Sequence, residues 1–403
     1  MYRPLSLSDA VEFVRSAGLD IFLPGEELES SDLADGNVNL VYRVSSVAEP
    51  MRRSVIVKQA LPYARVVGDS FPMPLERSRI ESRALELEAA ACPARVPAVY
   101  RYDPDLSLVV MEDLRQHIIM RKGMVRQVRY PRFARDLGEF MARTLFSTSD
   151  LALGSAEKKA MVCEFSNPGL RKVTEDLVFT HPFVDHPGNR WNPVLDGDVR
   201  RLRGDRELLL EIAELKLKFM TQAQALVHGD LHTGSIMVTE DDTKVIDPEF
   251  AFYGPMGFDV GALLGNLALS WASQVYHAQT QAERDGYREW IVAAMQEVWE
   301  VFAQEYRRLA DESASQEWPR GPFVDRILLH VLQDAAGFGG TKMLRRILGL
   351  AHVMDLDSIP DEVERARAER IAIAIGRSWI VGRHEIRSIE DLTALVQAQR
   401  EAD

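Results

Sequence analysis

Residues 228–259 read HGDLHTGSIMVTEDDTKVIDPEFAFYGPMGFD, which places isolated acidic residues among apolar ones. Two short apolar runs, SIMV and KVI, flank the polar segment TEDDT, so we predict a β-hairpin. In a simple antiparallel register, the residues before the first strand and after the second lie at the same end. Ser235 would then lie near Asp247, with Asp230 in the preceding loop and Glu249 just after the second strand. We therefore predict that three carboxylates converge on one point.

Converging carboxylates repel one another, so a partly desolvated site that holds them needs a compensating cation. Oxygen ligands favour a hard divalent cation, commonly Mg²⁺ carrying a nucleotide phosphate. We expect Asp247 and Glu249 to hold this metal, and Asp230 to face a substrate hydroxyl as a base or orienting group. His228 and His232 flank Asp230 without the helical i, i+4 spacing of a zinc protease, so we interpret them as loop-shaping residues.

Composition limits the possible functions. The chain has 403 residues, of which 46% are hydrophobic and 27% charged, as expected for a soluble globular protein with two packed units. A net charge of −13 argues against a nucleic-acid partner. Cys92 and Cys163 lack metal-ligand spacing, which indicates reduced thiols and a cytoplasmic location. The first residues form an amphipathic helix pattern without a secretory signal, and no apolar run approaches the ~20 residues that span a bilayer.

The patterns along the chain divide it into a sheet-containing part and a helical part. VNLVYRVSS and RSVIVKQAL predict a hairpin, LERSRIESRALELEAAA predicts a long helix, and VPAVYRYDPDLSLVVMEDL predicts two further strands. Beyond MEDL, helical periodicity recurs in YPRFARDLGEFMARTLFSTS, DRELLLEIAELKLKFMTQAQALV, YREWIVAAMQEVWEVFAQEYRRLA and FVDRILLHVLQDAAGFGGTKMLRRILGLAHV. We therefore predict an α+β protein with a small lobe at 1–113 and a larger, mainly helical lobe at 114–403.

The HGD loop, the hairpin and the DPE segment together resemble the catalytic loop and metal motif of protein-kinase-like phosphotransferases, which have HRD and DFG there. The whole run from HGDLHTGSI to GPMGFD resembles one branch, the 5-methylthioribose kinases, and the resemblance extends over nearly the whole chain. It implies a bilobal protein-kinase-like fold, with ATP and Mg²⁺ between the lobes, and a homodimer. It also implies phosphorylation of 5-methylthioribose at carbon 1, a step of methionine salvage.

The resemblance implies a set of nucleotide contacts in the small lobe. DGNVNLVYRV resembles the phosphate loop of the family, with Gly36, Asn37 and Asn39 over the phosphates, although such a segment is also typical of a plain β-turn. Lys58 in VIVKQA matches the strand lysine that contacts the α and β phosphates, whereas a lysine ending a strand is otherwise usually solvated. We expect Glu81 to be its ion-pair partner, although neighbouring glutamates on that helix also fit a solvated face.

LVVMEDL resembles the hinge between the lobes. The resemblance implies that main-chain groups of Glu112, Asp113 and Leu114 bind the adenine edge. Asp259 in GFDVG resembles a buried aspartate that holds the backbone of the catalytic loop, so we expect a structural role for it. ATP binding is therefore expected to depend on main-chain groups at this point.

Arg345 and Arg346 in TKMLRRILGLAHV match the arginine pair that lies near the sugar in the family, where guanidinium groups bind hydroxyls and stabilise transferring charge. On a continuous helix, Lys342, this pair, Gly349 and His352 would form one polar stripe, and a solvated surface is the alternative interpretation. Gly349 would leave room for the substrate.

Two features depart from the wider kinase pattern. Ser235 stands where many relatives have an asparagine, and Glu249 could compensate as a second carboxylate. DPE has no DFG phenylalanine, so regulation by a flipping phenylalanine is not expected. Both departures agree with the 5-methylthioribose kinase branch.

Three other functions stay open from the sequence. One is a kinase of another small alcohol, such as an aminoglycoside, choline or homoserine, although an arginine pair suits a polycation poorly. Another is a nucleotide-binding relative that has lost catalysis, against which Asp230, Asp247 and Lys58 argue. The last is a helical interaction module whose acidic residues are surface features.

Overall fold

The computed structural model describes residues 2–33, 38–51, 53–65, 68–313 and 317–402, so the predicted phosphate-loop residues Gly36 and Asn37 lie outside it. The strands in chain order are β1 Leu28–Asp32, β2 Asn39–Ser46, β3 Ser54–Ala60, β4 Tyr63–Ala64, β5 Gly68–Pro72, β6 Val99–Asp103, β7 Leu108–Glu112, β8 Ile118–Ile119, β9 Ala225–Val227, β10 Ile236–Val238, β11 Thr243–Val245 and β12 Phe252–Gly254. The α-helices are α1 Leu7–Ser16, α2 Arg77–Ala91, α3 Met120–Val125, α4 Phe133–Ser147, α5 Ser155–Glu164, α6 Pro168–Phe179, α7 Asp196–Gly204, α8 Arg206–Thr221, α9 Gly257–His277, α10 Gln281–Glu312, α11 Pro322–Leu348, α12 Met354–Asp357, α13 Glu362–Val381 and α14 Ile389–Gln397.

The N-terminal part is an antiparallel sheet in the order β1-β2-β3-β7-β6, which confirms the predicted hairpin of β2 and β3 and the pair β6 and β7. Successive side chains of a strand point to opposite faces. Val55 and Val57 of β3 accordingly pack with α1 in one apolar cluster, while Lys58 points to the other face, towards α2. The pleat of β3 thus presents a lysine to the helix.

The predicted central hairpin is confirmed. β10 pairs with β11 in antiparallel register, with Ile236 opposite Val245. A second ladder pairs β9 with β12, with Val227 opposite Phe252. Because β9 immediately precedes HGD and β12 follows DPE closely, the two ladders bring these loops together.

One helical prediction ran too far. The segment ending in ALV was expected to be helical to its end, but α8 stops at Thr221 and residues 225–227 form β9. The strand forms because its backbone pairs with β12, a partner far away in the sequence. Local periodicity carries no information on such pairing.

The C-terminal part is mainly helical, as predicted, and its centre is the pair α9 and α11. These helices approach closely at Gly261, where an added Cβ would lie 2.4 Å from the carbonyl oxygen of Ala335. The close approach places Phe258 of α9 beside Lys342 of α11, with Nζ 4.5 Å from the ring centroid. Among the described residues, no helix is both long and apolar enough to cross a membrane.

Candidate active site

The HGD loop is held by hydrogen bonds to Asp259 in the first turn of α9. Asp259 accepts hydrogen bonds from the main-chain amides of His228 (2.6 Å) and Gly229 (3.0 Å). Gly229 has φ +84°, and a Cβ there would lie 2.3 Å from the carbonyl oxygen of Phe250. The sequence therefore needs glycine at this turn, and Asp259 has the contacts expected of a residue that fixes the loop. The His228 ring lies against the main chain of Ile246, with Nε2 2.9 Å from the carbonyl oxygen.

Asp230 projects from this loop towards a lysine, an arginine and a histidine. Its Oδ1 lies 2.9 Å from Lys342 Nζ and 3.8 Å from Arg345 Nη2, and its Oδ2 lies 3.2 Å from His232 Nε2. Burial alone would raise the pKa of Asp230, but Lys342, His232 and Arg345 together hold that pKa well below its usual range. Burial lowers the pKa of Lys342 to about 8, although Asp230 opposes this shift. Asp230 is therefore an ionised carboxylate with a buried lysine as its nearest cation.

The solvated stripe considered on α11 does not exist. Lys342, Arg345 and Arg346 are only 4%, 8% and 8% exposed. The helix ends at Leu348, so Gly349 caps it and the following His352 lies in the loop. These polar residues face the interior because α11 runs through the centre of the helical part. Two of them, Lys342 and Arg345, lie near Asp230 rather than at the surface.

Lys58 is buried between two carboxylates. Its Nζ donates to Glu81 Oε1 of α2 and to Asp247 Oδ1, both at 2.6 Å. Burial opposes the charged ammonium, but Asp247 and Glu81 outweigh it and raise the pKa of Lys58. The structure thus selects Glu81 among the glutamates of α2 as the ion-pair partner that was expected.

Glu249 and Asn39 both contact Arg77, a residue that was not predicted from the sequence. Arg77 is fully buried at the start of α2 and donates to Asn39 Oδ1 through Nη2 at 2.8 Å, while its Nε lies 3.3 Å from Glu249 Oε2. Asn39 Nδ2 donates to the same carboxylate oxygen at 2.9 Å. The side chain of Asn39 is therefore engaged with Glu249. The spacing of Arg77 and Glu81, one helical turn, was the available signal.

The acids separate into two groups. Asp247 and Glu249 lie beside Lys58 and Arg77, whereas the cations around Asp230 come from α11. Burial alone would raise the pKa of Asp247, but Lys58 outweighs it and lowers that pKa. The cations that compensate these acids include side chains of the chain itself, so a metal is not the sole source of positive charge.

Ser235 and the predicted hinge residue Asp113 make further contacts. The Ser235 hydroxyl donates to the carbonyl oxygen of Asp230 at 3.0 Å, so it braces the loop. The carboxylate of Asp113 accepts from Arg43 and from Ser54, each at 2.7 Å. These bonds occupy the Asp113 side chain, so only main-chain groups of this residue remain for a nucleotide.

Glu112 and Leu114, the other predicted hinge residues, have main-chain partners. The amide of Glu112 donates to the carbonyl oxygen of Ala98 at 2.8 Å, and the carbonyl oxygen of Leu114 accepts from the amide of His117 at 2.9 Å. A nucleotide bound here would therefore have to use the other main-chain groups of the hinge.

Arg121 was also missed by the sequence analysis. Its Nε lies 3.1 Å from both Thr233 Oγ1 and Asp355 Oδ2, and its Nη2 donates to Asn266 Oδ1 at 2.7 Å. Its main-chain amide donates to the carbonyl oxygen of Thr233 at 3.0 Å. Arg121 therefore joins the segment that follows HGD to α9 and α12. Nothing in the sequence around it distinguishes it from a surface arginine.

The residues present fit a hard divalent cation. The contacts of Glu249 described above use Oε2, and Lys58 uses Oδ1 of Asp247, so each carboxylate has a second oxygen for a ligand. The Asp247 side chain is 46% exposed and can be reached from the cleft. An all-oxygen donor set of this kind suits Mg²⁺.

Comparison with known proteins shows which family the chain resembles. The sequence model of the Phosphotransferase enzyme family matches residues 31–293. The methylthioribose kinase of Geobacillus sp. (strain WCH70) is 43% identical over 396 residues, covering 98% of this chain and 96% of that protein. The methylthioribose kinase of Geobacillus thermodenitrificans (strain NG80-2) is 44% identical, covering 99% and 98%. That of Pectobacterium atrosepticum (strain SCRI 1043) is 41% identical, covering 98% of each chain.

These matches confirm the resemblance on which the fold was predicted. They extend over nearly the whole chain and include both the sheet-containing part and the helical part, which together form the protein-kinase-like α+β fold of a small-molecule kinase. The chain belongs to the Phosphotransferase enzyme family and, within it, to the methylthioribose kinases.

Proposed function

We propose that this protein transfers the γ-phosphate of ATP to the 1-hydroxyl of 5-methylthio-D-ribose, giving 5-methylthioribose 1-phosphate and ADP. The proposed substrate is taken from the relatives, which are named methylthioribose kinases and are 41–44% identical to this chain. The observation that carries the chemistry is the Asp230 carboxylate, which lies 2.9 Å from the buried Lys342 ammonium in the loop before β10, while Asp247 follows β11.

ATP binding is proposed to involve both lobes, divided at 1–113 and 114–403. Lys58 would align the α and β phosphates. Its ammonium is suited to this role because Glu81 holds it in place. The phosphate loop with Gly36, Asn37 and Asn39 would cover the phosphates. Asn39, the first residue of β2, would act mainly through its main chain, since its side chain is bonded to Glu249 and Arg77.

The hinge is proposed to bind adenine through the main chain of Glu112, Asp113 and Leu114. The carboxylate of Asp113 supports this stretch indirectly by its bonds to β2 and β3. Adenine recognition would therefore be insensitive to the identity of these side chains.

Asp247 and Glu249 would hold Mg²⁺, which when bound would neutralise charge on the phosphates. Lys58 contacts Asp247 in the structure, so the lysine is already placed beside the position that phosphate oxygens would take. Arg77 lies 3.3 Å from Glu249 Oε2.

Asp230 is proposed to orient the anomeric hydroxyl and to accept its proton late in the reaction. The cations around it hold its pKa well below the usual range, so it is a weak base for a neutral sugar hydroxyl. Proton transfer is needed only once the phosphate bond has begun to form, because the transition state is loose. Positioning of the hydroxyl is the main contribution of this residue.

Arg345 and Arg346 are proposed to bind the sugar and to stabilise the transferring phosphoryl group. Both are buried, and Arg345 is within 3.8 Å of the Asp230 carboxylate. Burial lowers the pKa of each, yet a guanidinium stays charged at neutral pH. Cations at the acceptor site disfavour an aminoglycoside or choline, which carry positive charge themselves.

Three further properties are proposed from family membership. The product would enter methionine salvage, and the protein would act in the cytoplasm, where its free cysteines Cys92 and Cys163 stay reduced. It would form a homodimer. Size-exclusion chromatography with light scattering tests the last point, with a mass near 91 kDa expected for two chains of 45.5 kDa.

The reaction is tested by product analysis. The purified protein is incubated with Mg-ATP and 5-methylthioribose labelled at carbon 1 with ¹³C, and the ³¹P spectrum is recorded. A phosphorus–carbon coupling to the labelled carbon is expected, with one ADP formed per sugar consumed. Phosphorylation of another hydroxyl, or hydrolysis of ATP without sugar phosphate, would contradict the proposed reaction.

A further inference from the structure

Arg77, Asn39 and Glu249 form a closed ring of contacts. Arg77 donates to Asn39, Asn39 donates to Glu249, and Glu249 lies 3.3 Å from the Arg77 guanidinium. Two further bonds fix the arginine, from Nη1 to the carbonyl oxygen of Pro74 at 2.8 Å and from Nη2 to that of Val38 at 3.4 Å. Its side chain has no exposed surface. A buried guanidinium held in this way is a fixed positive charge.

The first turns of α2 position a cation beside each of the two acids of the DPE segment, Asp247 and Glu249. Glu81, four residues after Arg77, binds Lys58, and Lys58 binds Asp247. Each acid is therefore paired with one buried cation, and α2 positions both pairs. The two cations differ in freedom. The ammonium of Lys58 sits on a flexible stem, whereas Arg77 is held by the four groups named above.

We propose that Arg77 is the resident counter-ion of Glu249, a positioning residue that holds Oε2, leaves Oε1 for a ligand, and sets the net charge of the metal and phosphate site. This inference rests on the proposed function, which places Mg²⁺ and ATP there. Removing Arg77 takes away the buried cation that contacts Glu249 and so makes the site more negative by one charge. A divalent cation should then bind more tightly and a polyphosphate more weakly, since both respond to the same field with opposite sign.

Opposite shifts distinguish this role from a purely structural one. An arginine that only supported the fold would, when removed, weaken the binding of both ligands. Arg79 provides a matched control, because it lies on the same helix, its side chain is 33% exposed, and it pairs with Glu76 away from the site.

The test is isothermal titration calorimetry on Arg77→Met, Arg77→Lys, Arg79→Met and the native protein. Mn²⁺ is titrated without nucleotide, and ATP is titrated in EDTA without metal. In Arg77→Met we expect Mn²⁺ affinity to rise about tenfold and ATP affinity to fall about tenfold. Arg77→Lys keeps the charge and should stay within about threefold of native for both ligands. Arg79→Met should not change either affinity, and circular dichroism verifies the fold of each variant.

A fall of both affinities in Arg77→Met, or no change in either, would overturn the inference. Should that variant not fold, Arg77→Lys decides, because a tenfold loss of ATP affinity with the charge retained contradicts a counter-ion role. A native protein that binds no ATP would instead contradict the proposed function, and with it this inference.

Discussion

Lys342 should give the enzyme a specific dependence on pH. Burial lowers its pKa to about 8, and its ammonium is the nearest cation to Asp230, at 2.9 Å. Loss of the proton would remove this contact and leave Asp230 with His232 at 3.2 Å and Arg345 at 3.8 Å. The carboxylate would then be oriented less firmly towards the substrate hydroxyl. We therefore expect activity to require protonated Lys342.

The size of the effect follows from the pKa. For a single group that titrates near pH 8, the protonated fraction falls from roughly nine-tenths at pH 7 to roughly one-tenth at pH 9. The value of kcat/KM for the sugar reports on groups of the free enzyme, so it should fall about tenfold over that range. Between pH 6 and pH 7 it should stay constant, because the pKa of Asp230 lies well below its usual range.

Stability should change in the other direction. The pKa of Lys342 is about 8 in the folded protein and near 10.5 in the unfolded chain. Between these values the unfolded chain binds more protons, so the contribution of Lys342 to the free energy of unfolding rises with pH. Loss of activity at pH 9 should therefore not be accompanied by unfolding, which circular dichroism at both pH values checks.

The assay is ADP release at saturating Mg-ATP from pH 6 to 9.5, for the native protein and two variants. Lys342→Arg stays charged throughout and should lose the basic decline. Lys342→Met should be slower by about thirtyfold, corresponding to ~2 kcal/mol for a lost charged hydrogen bond, and should show no decline of its own. Exposed Lys172, which pairs with Asp176, provides the control Lys172→Met. The same decline in Lys342→Arg, or native activity constant to pH 9.5, would refute the reasoning.

Two further substitutions test the loop that carries Asp230. Gly229→Ala adds a Cβ 2.3 Å from the Phe250 carbonyl oxygen at φ +84°, so we expect a loss of about 3 kcal/mol or more in stability by denaturant unfolding, whereas Gly154→Ala, with no atom within 4 Å, should change little. Arg121→Lys removes the fork that reaches Thr233, so we expect kcat to fall about tenfold with KM for ATP unchanged; a change in KM for ATP alone would contradict this.

Much of the site followed from local sequence. The hairpin of β10 and β11 was predictable because a polar turn separates two short apolar runs, and its register determines where Asp247 lies. The pairing of Lys58 with Glu81 was expected because Lys58 matches the strand lysine of the resembled family and a helix with Glu81 follows it. The phosphate-loop residues Gly36 and Asn37 lie outside the described residues, so their role remains a proposal.

The remaining features depend on contacts between distant parts of the chain. Asn39 and Glu249, which Arg77 joins, are 210 residues apart, so the one-turn spacing of Arg77 and Glu81 could not show which groups the arginine contacts. The alternative of a solvated stripe on α11 stayed open from the sequence because polar residues on a helix usually face water, whereas here Arg345 and Lys342 are buried and face Asp230. Burial of polar residues is set by tertiary packing and cannot be inferred from periodicity alone.

The most direct test of phosphoryl transfer to 5-methylthioribose at Asp230 is ADP release from Mg-ATP with this sugar, beside choline, homoserine and an aminoglycoside. We expect rapid turnover with the thio-sugar alone. Asp230→Asn should abolish that turnover while the protein keeps its fold and its affinity for ATP. Turnover of another alcohol in place of the thio-sugar, or an Asp230→Asn variant as active as the native protein, would contradict the assignment.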